Sequence, residues 1–288
     1  MAVKVIYTNE IGDSIEFSKE SGIRITNIDG LSSNTISLSE ATVSNQIGAS
    51  VTGVSIQAKD MTLNGRFQYA PNIRKRMLAV ILPGVSATLR YINTNENIDV
   101  YWKVHPKTTP VISNGVVWQN FQISLRLPYP YARSSDSNVT DFNTLTPLHR
   151  FKRSYSSKTP FKLSSRSYQP LKTIYNKGAL STGFICRMTA GVDGIKAPRI
   201  ANVDTQENIS FPKLTMAIGD ILEISTYENE RYCHLIHQGD ITNVFSYMDY
   251  NSTFFQLKPG NNVIRYSSSA SENMLDVRLT FDDTVAGV

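Results

Sequence analysis

The side chains equipped for chemistry are few and badly matched to one another. The run "CHLIH" brings Cys233, His234 and His237 together, a thiol and two imidazoles of the kind that bind zinc. On a strand, residues three apart face opposite sides of the sheet, so the two imidazoles converge on one ion only across a bulge. A structural role is expected, and no metal site is assigned. Asp282 and Asp283 are neighbours, and adjacent carboxylates on a strand diverge, which makes a poor acid–base pair. A solvated chain end accounts for them. Cys186 and Cys233 are too few for a disulfide framework and are expected to be free, buried thiols. The sequence holds no phosphate-cradling glycine loop, nucleophile elbow or zinc-protease signature. The expectation is a protein that is not an enzyme, with no catalytic or cofactor-binding residues and no cofactor.

Charge offers a second kind of site. The net charge of +5 is uneven: nine Lys or Arg and no Asp or Glu lie from Phe142 to Val192, leaving 20 basic against 24 acidic residues elsewhere. Phe151, Tyr155, Phe161, Tyr168 and Tyr175 are interleaved with those cations. A single-strand binder stacks bases on aromatics in a positive groove, and this composition suits it. Charge runs are more often solvated faces or docking surfaces for an acidic protein, which is the reading preferred here. Its carriers are Arg150, Lys152, Arg153, Lys158, Lys162 and Arg166.

The elements that would position such groups are mostly strands. Period-two alternation recurs at Val3, Val5 and Tyr7; at Met61, Leu63, Gly65, Phe67 and Tyr69; at Ala87, Leu89 and Tyr91; at Ile98, Val100, Trp102 and Val104; and at Phe121, Ile123, Leu125 and Leu127. "INTNEN" supplies the turn between two of them. Trp102 and Trp118 fall in such runs, so core packing is expected of both. A single helix interrupts the strands: "PNIRKRMLAVILPG" places Ile73, Met77, Leu78 and Ile81 on one face and stops at Pro83-Gly84. Beyond Leu127, "PYPYARSSDSN" reads as a domain boundary. Short alternating runs return from Lys172, spaced as in an antiparallel sandwich. In "FFQLKPGNNVIRY", Pro259 and Gly260 reverse the chain, because one fixes φ near −65° and the other tolerates positive φ. Ile264 and Tyr266 then share one face of a strand, with Val263, Arg265 and Ser267 on the other.

The start, "MAVKVIYTNE", meets Lys4 and Glu10 before an apolar run of signal-peptide length forms, and no segment approaches the ~18 apolar residues of a membrane span. Synthesis and folding in the cytoplasm and no membrane partner are expected. The sequons at Asn138, Asn208 and Asn251 then have no consequence. The expected organisation is residues 1–136 as one domain, 137–170 as a basic, Ser-rich linker or the early strands of the next, and 171–288 as the second.

Several stretches together resemble the distal tail protein family of siphophages and related tail-like particles. They are "NIDGL", "DMTLNGRF", "NIRKRMLAVILPG" and "FQISLRLPYPY" in the first half. In the second they are "YNKG", "APRIANVDTQENI", "GDILEIST" and "STFFQLKPGNNVIRY", followed by "MLDVRLTFD" as the final strand. The match departs from the family at "DTQEN", where a Gly is usual, so the turn type there is expected to differ. The resemblance implies an all-β fold with one short helix: an N-terminal, ring-forming β-sandwich-type domain and a C-terminal galectin-like antiparallel β-sandwich. It implies a structural component of the tail tip or baseplate, located at the virion tail tip, whose homohexameric ring joins the tail tube to the host-adsorption apparatus. The implied partners are further copies of the chain, the tail tube protein, the tail hub protein and a receptor-binding protein, with nucleic acid met only as the genome passes through the ring. "GLSSNTISLSEATVSNQIG" resembles the arm by which members embrace a neighbour, which assigns Leu31, Ile36, Leu38, Val43 and Ile47 to a protein interface. A carbohydrate-binding sandwich used in host recognition is the alternative, suggested by 14 Tyr, 12 Phe and 2 Trp. A glycan array on the second domain separates the two.

Overall fold

The computed structural model describes residues 3–34, 36–42, 44, 47–148 and 164–288. It parts the chain into two compact units, residues 1–136 with 284–288 and residues 137–283. The last residues, expected with the second domain, therefore lie with the first.

Unit 1 contains β1 (Val3–Asn9), β2 (Ser14–Phe17), β3 (Ile23–Asp29), β4 (Ile36–Ala41), β5 (Ser50–Ile56), β6 (Lys59–Gln68), α1 (Pro71–Val80), β7 (Ala87–Asn93), β8 (Ile98–Pro106), β9 (Val111–Ile112), β10 (Trp118–Leu127) and the start of β11 (Ala132–Asp141). β1 pairs antiparallel with β2 and β7, and β7 with β8. That register sets Tyr7, Leu89 and Trp102 in one row and Val5, Tyr91 and Val100 in another, all buried on one face. A second sheet has the long β6 between β3 and β10, burying Met61, Leu63, Phe67, Phe121, Ile123, Leu125 and Leu127 in the same core. Gly65 lies opposite Phe121, and a Cβ there would fall 2.3 Å from the ring, so the glycine gives the aromatic its room.

Pro71 opens α1, where its missing N–H costs nothing, and the Ile81 N–H closes the last turn on the Met77 carbonyl at 3.1 Å. Met77, Val80 and Ile81 are buried. Leu78, expected on the apolar face, is exposed, because ~100° per residue turns it away from Met77. Trp118 also departs from expectation: it is 46% exposed at the start of β10, with the Arg66 guanidinium 5.4 Å from its ring centroid. Alternation there buries Gln119 instead.

Unit 2 holds β12 (Thr144–Pro147), β13 (Ser164–Ser167), β14 (Leu171–Asn176), β15 (Ile185–Ala190), β16 (Ile195–Lys196), β17 (Arg199–Asn202), β18 (Asn208–Ser210), β19 (Thr215–Met216), β20 (Ile221–Ser225), β21 (Tyr232–His237), β22 (Asp240–Asn243), β23 (Gly260–Ser267) and most of β24 (Leu275–Val285). One antiparallel sheet runs β24-β15-β20-β21-β22 and the other β14-β23-β17-β18. Their inner faces share one core that includes Phe184, Cys186, Met188, Ile224, Ile264, Tyr266, Leu279 and Phe281. This is the antiparallel sandwich expected of the second half. β23 follows Pro259, with Gly260 at φ 90° and Ile264 and Tyr266 facing inward. In the β17–β18 hairpin Gln206 takes φ 60°, so the left-handed turn within "DTQEN" is carried by a non-glycine residue.

Two readings are corrected here. The Ser-rich stretch after Pro130, read as a domain boundary whose prolines exclude a central strand, forms the ten-residue strand β11. Asp282, expected at a solvated chain end, is 9% exposed: Tyr227 Oη accepts its N–H at 3.0 Å, Thr182 Oγ1 donates to its carbonyl at 2.7 Å, and Ser137 Oγ donates to its carboxylate. The cause is that β24 continues to Val285 and keeps this residue inside a sheet.

Candidate assembly surface

The chemistry-bearing groups do not converge. In β21 Cys233 points into the core while His234 stacks on the Tyr232 ring at 4.6 Å on the other face. His237 Nδ1 lies 2.6 Å from Asp220 Oδ1, and Asp220, 4% exposed, also accepts the Ala217 N–H at 2.8 Å, so this carboxylate closes a turn. Cys186 is fully buried and burial pushes its thiol far up; Cys233 is pushed up to about 12 by the same cause. Both are inert as nucleophiles at neutral pH. Among the described residues there is no group of three or more His, Cys, Asp or Glu able to hold a metal ion. No helix there is long and apolar enough to cross a membrane.

Of the basic carriers, Arg166 is described; Arg150, Lys152, Arg153, Lys158 and Lys162 lie outside the described residues. Arg166 is turned onto the Asp276 carboxylate, with the Met274 sulfur 3.8 Å away. Lys172 Nζ donates to the Asp141 carbonyl at 2.6 Å, and Arg187 pairs with Glu223. These three cations of the basic segment are matched within unit 2.

The feature that departs most from a self-contained fold is the β4–β5 hairpin. Its register sets Ile36 opposite Ile56 and Leu38 opposite Val54, and sets Ser37 opposite Ser55 and Ser39 opposite Gly53. Directly paired residues share a face, so one side of the ribbon is aliphatic and the other small and polar. Between Ser39 and Glu40 the register shifts, and Thr52 Oγ1 donates to the Ser39 carbonyl at 3.0 Å. Ile36 and Leu38 are each 53% exposed, Val54 64% and Ile56 47%. β4 and β5 form a sheet of two strands by themselves. An isolated two-stranded ribbon is marginal in water, and one that also exposes four large aliphatics gains stability by covering them. Full burial of such side chains is worth roughly 1.5–3 kcal/mol each.

Of the assigned interface residues, Ile36 and Leu38 lie on this aliphatic face and Ile47 is fully exposed near the hairpin's tip. Val43 lies outside the described residues. Leu31 does not join them: it packs, partly buried, against the core of unit 1 at the hairpin's root. Val54 and Ile56 complete the face on the returning strand and were not singled out from sequence. The signal was available, since "VTGVSI" alternates in step with "ISLS". Elsewhere, in unit 2, Ile241, Phe245, Tyr247 and Tyr250 are exposed, with Phe245 stacked on Phe254 at 5.8 Å and Arg231 5.7 Å from the Phe254 ring.

Residues 177–284 match the family model described as the siphovirus-type tail component, C-terminal domain. Among solved structures, the Dit protein of phage SPP1, described as a paradigm of the hub adsorption apparatus in phages infecting Gram-positive bacteria, superposes with a TM-score of 0.65 at 10% identity, covering 99% of each chain. A chain of the phage P2 baseplate in its activated conformation with calcium gives 0.59 at 12% identity over 100% of both chains, and the strontium form gives 0.58 at 12% over 100% of both. No curated protein matches the sequence. The resemblance read from the sequence is borne out: the family model spans most of the second unit, and the distal tail fold spans the full chain.

Proposed function

We propose that this protein is a structural component of a phage tail tip or baseplate, acting as a hub that joins the tail tube to the host-adsorption apparatus. It works as a homohexameric ring in which each β4–β5 hairpin lays its aliphatic face on a neighbouring copy. The single observation that carries the reading is that face, Ile36, Leu38, Val54 and Ile56, presented on a ribbon that pairs with nothing else among the described residues. A ring needs two different surfaces on each subunit, one that reaches and one that receives, because a head-to-tail contact closes only at the right rotation. A protruding hairpin meets the first requirement.

The remaining assignments follow from that role. Residues 1–136 are the ring-forming part, and the sandwich of unit 2 serves as an attachment module. The tail tube protein, the tail hub protein and a receptor-binding protein are its partners, and assembly takes place in the host cytoplasm before the particle is complete. No reaction is required of the protein.

Antibody-gold labelling of intact particles tests the location. Gold at the distal end of the tail is expected, and gold confined to the head or the tail shaft would contradict the reading. Deleting 36–56 tests the contact: the protein should stay folded by circular dichroism while losing its self-associated form on a sizing column. An unchanged assembly after that deletion would remove the hairpin's role.

A further inference from the structure

We propose that the last residues of the chain, together with Asn34 and Lys59, form a latch that fixes the root of the β4–β5 hairpin. Lys59 is 6% exposed although it carries an ammonium group. Its Nζ donates to the Leu31 carbonyl at 3.0 Å and lies 3.3 Å from Asn34 Oδ1, both neutral acceptors. Leu31 and Asn34 lie on the leg of chain that leaves for β4, and Lys59 opens the strand that follows β5. One buried ammonium therefore ties the outgoing leg to the returning one. A buried cation is costly unless its hydrogen bonds are made, so the root is stable only in the arrangement that keeps both acceptors in place.

The Asn34 amide is used at its other end as well. Nδ2 donates to the Ala286 carbonyl at 2.6 Å, which fastens the chain's final segment to the outgoing leg. Gly287 lies so that an added Cβ would sit 3.6 Å from the Ser32 carbonyl oxygen, an ordinary contact distance. Val285 and Val288, partly buried, pack against the core of unit 1. The tail is thus seated on that core by two valines and bound to the hairpin's root by one amide. Because β4 and β5 pair with no other strand among the described residues, these root contacts govern the direction in which the ribbon leaves unit 1. Residues 284–288 and Asn34 are positioning elements for the hairpin.

Hydrogen exchange measured by mass spectrometry on the full protein at low concentration tests the latch. Two variants are compared with the parent: Asn34→Ala, and a truncation ending at Val285. Both should raise exchange in peptides covering 31–34 and 56–60 by about tenfold, the change expected when a local opening becomes easier, with β1, β7 and β8 unaltered. Unchanged exchange at the root in both variants overturns the proposal. So does a uniform rise across β1, β7 and β8, which would make these contacts part of the general fold. The consequence for assembly rests on the ring reading and is separable from it. Faster exchange at the root with undiminished self-association keeps the latch and counts against the hairpin as the ring contact. Unchanged exchange with association lost on deleting 36–56 rejects the latch and keeps the ring.

Discussion

Two hairpins of unit 1 are written in the same pattern and meet opposite fates. β7–β8 alternates Leu89 and Tyr91 with Val100, Trp102 and Val104, and every one of these is buried. β4–β5 alternates Ile36 and Leu38 with Val54 and Ile56, and every one of those is exposed. Alternation states only that one face of a ribbon prefers to be dry. What covers the face is decided by tertiary structure: the first hairpin has β1 beside it and a second sheet contributing to the same core, and the second has neither among the described residues. An aliphatic face left open among the described residues points to cover from another molecule.

The sharpest way to break that comparison is to truncate both hairpins. Trp102→Ala removes a large side chain from a close-packed interior and should cost about 3–5 kcal/mol in urea unfolding. Leu38→Ala, at an exposed position, should change the unfolding of the dissociated chain by less than about 0.5 kcal/mol. A large cost at Leu38 in the monomer would mean that the chain covers its own hairpin. Next in size is Gly65→Ala. The new Cβ would meet the Phe121 ring at 2.3 Å and the Arg24 carbonyl oxygen at 2.4 Å, so β6 must shift, or β3 and the Phe121 ring must both give way. A loss of roughly 1–3 kcal/mol is expected, with the far-ultraviolet spectrum retained.

The buried thiols sharpen the contrast chemically. At pH 8 neither Cys186 nor Cys233 should react with a disulfide reagent in the folded protein, because burial holds both as neutral thiols, whereas a cysteine placed at Leu38 should react at once. Association with a second copy should then slow labelling at that new cysteine. The smallest effect belongs to Asp60. Its hydrogen bond from Arg126, and a weaker one from Lys107, hold its carboxyl below the ordinary value of 3.8. A depressed folded-state value stabilises the protein above the unfolded pKa, and that contribution is lost as pH falls through the folded one. Asp60→Asn should therefore cost a few tenths of a kcal/mol near pH 7, since the pair is half exposed, and nothing in strong acid.

Much of this was legible in the sequence, for reasons that can be located. β1, β6, β8 and β10 carry strict alternation because one face of each is fully buried. The turn before β23 was legible because Pro259 and Gly260 constrain the backbone locally. β3 was not, and a register shift between Ile25 and Asn27 breaks its period. β11 was not, because its Ser-rich residues form a strand through pairing supplied by others. Trp118 and Leu78 were misplaced because residue type gives hydrophobicity but not which side of an element finds cover. The hairpin's outgoing strand was found through family resemblance, while Val54 and Ile56 became visible only when pairing set them beside Leu38 and Ile36. The His237–Asp220 contact and the Lys59 root depend on residues far apart in the chain, which no local pattern announces.

The central claim, that an open aliphatic hairpin makes this chain a ring subunit of a phage tail, is most directly tested by the mass and rotational symmetry of the purified protein. Light scattering coupled to sizing gives the mass, and electron microscopy of the same fraction gives the symmetry. The account predicts a particle of six copies with a central opening, converted to single chains when Ile36, Leu38, Val54 and Ile56 are all replaced by serine. A strict monomer at high concentration, in the presence of the proposed tail tube and hub partners as well as alone, would contradict it.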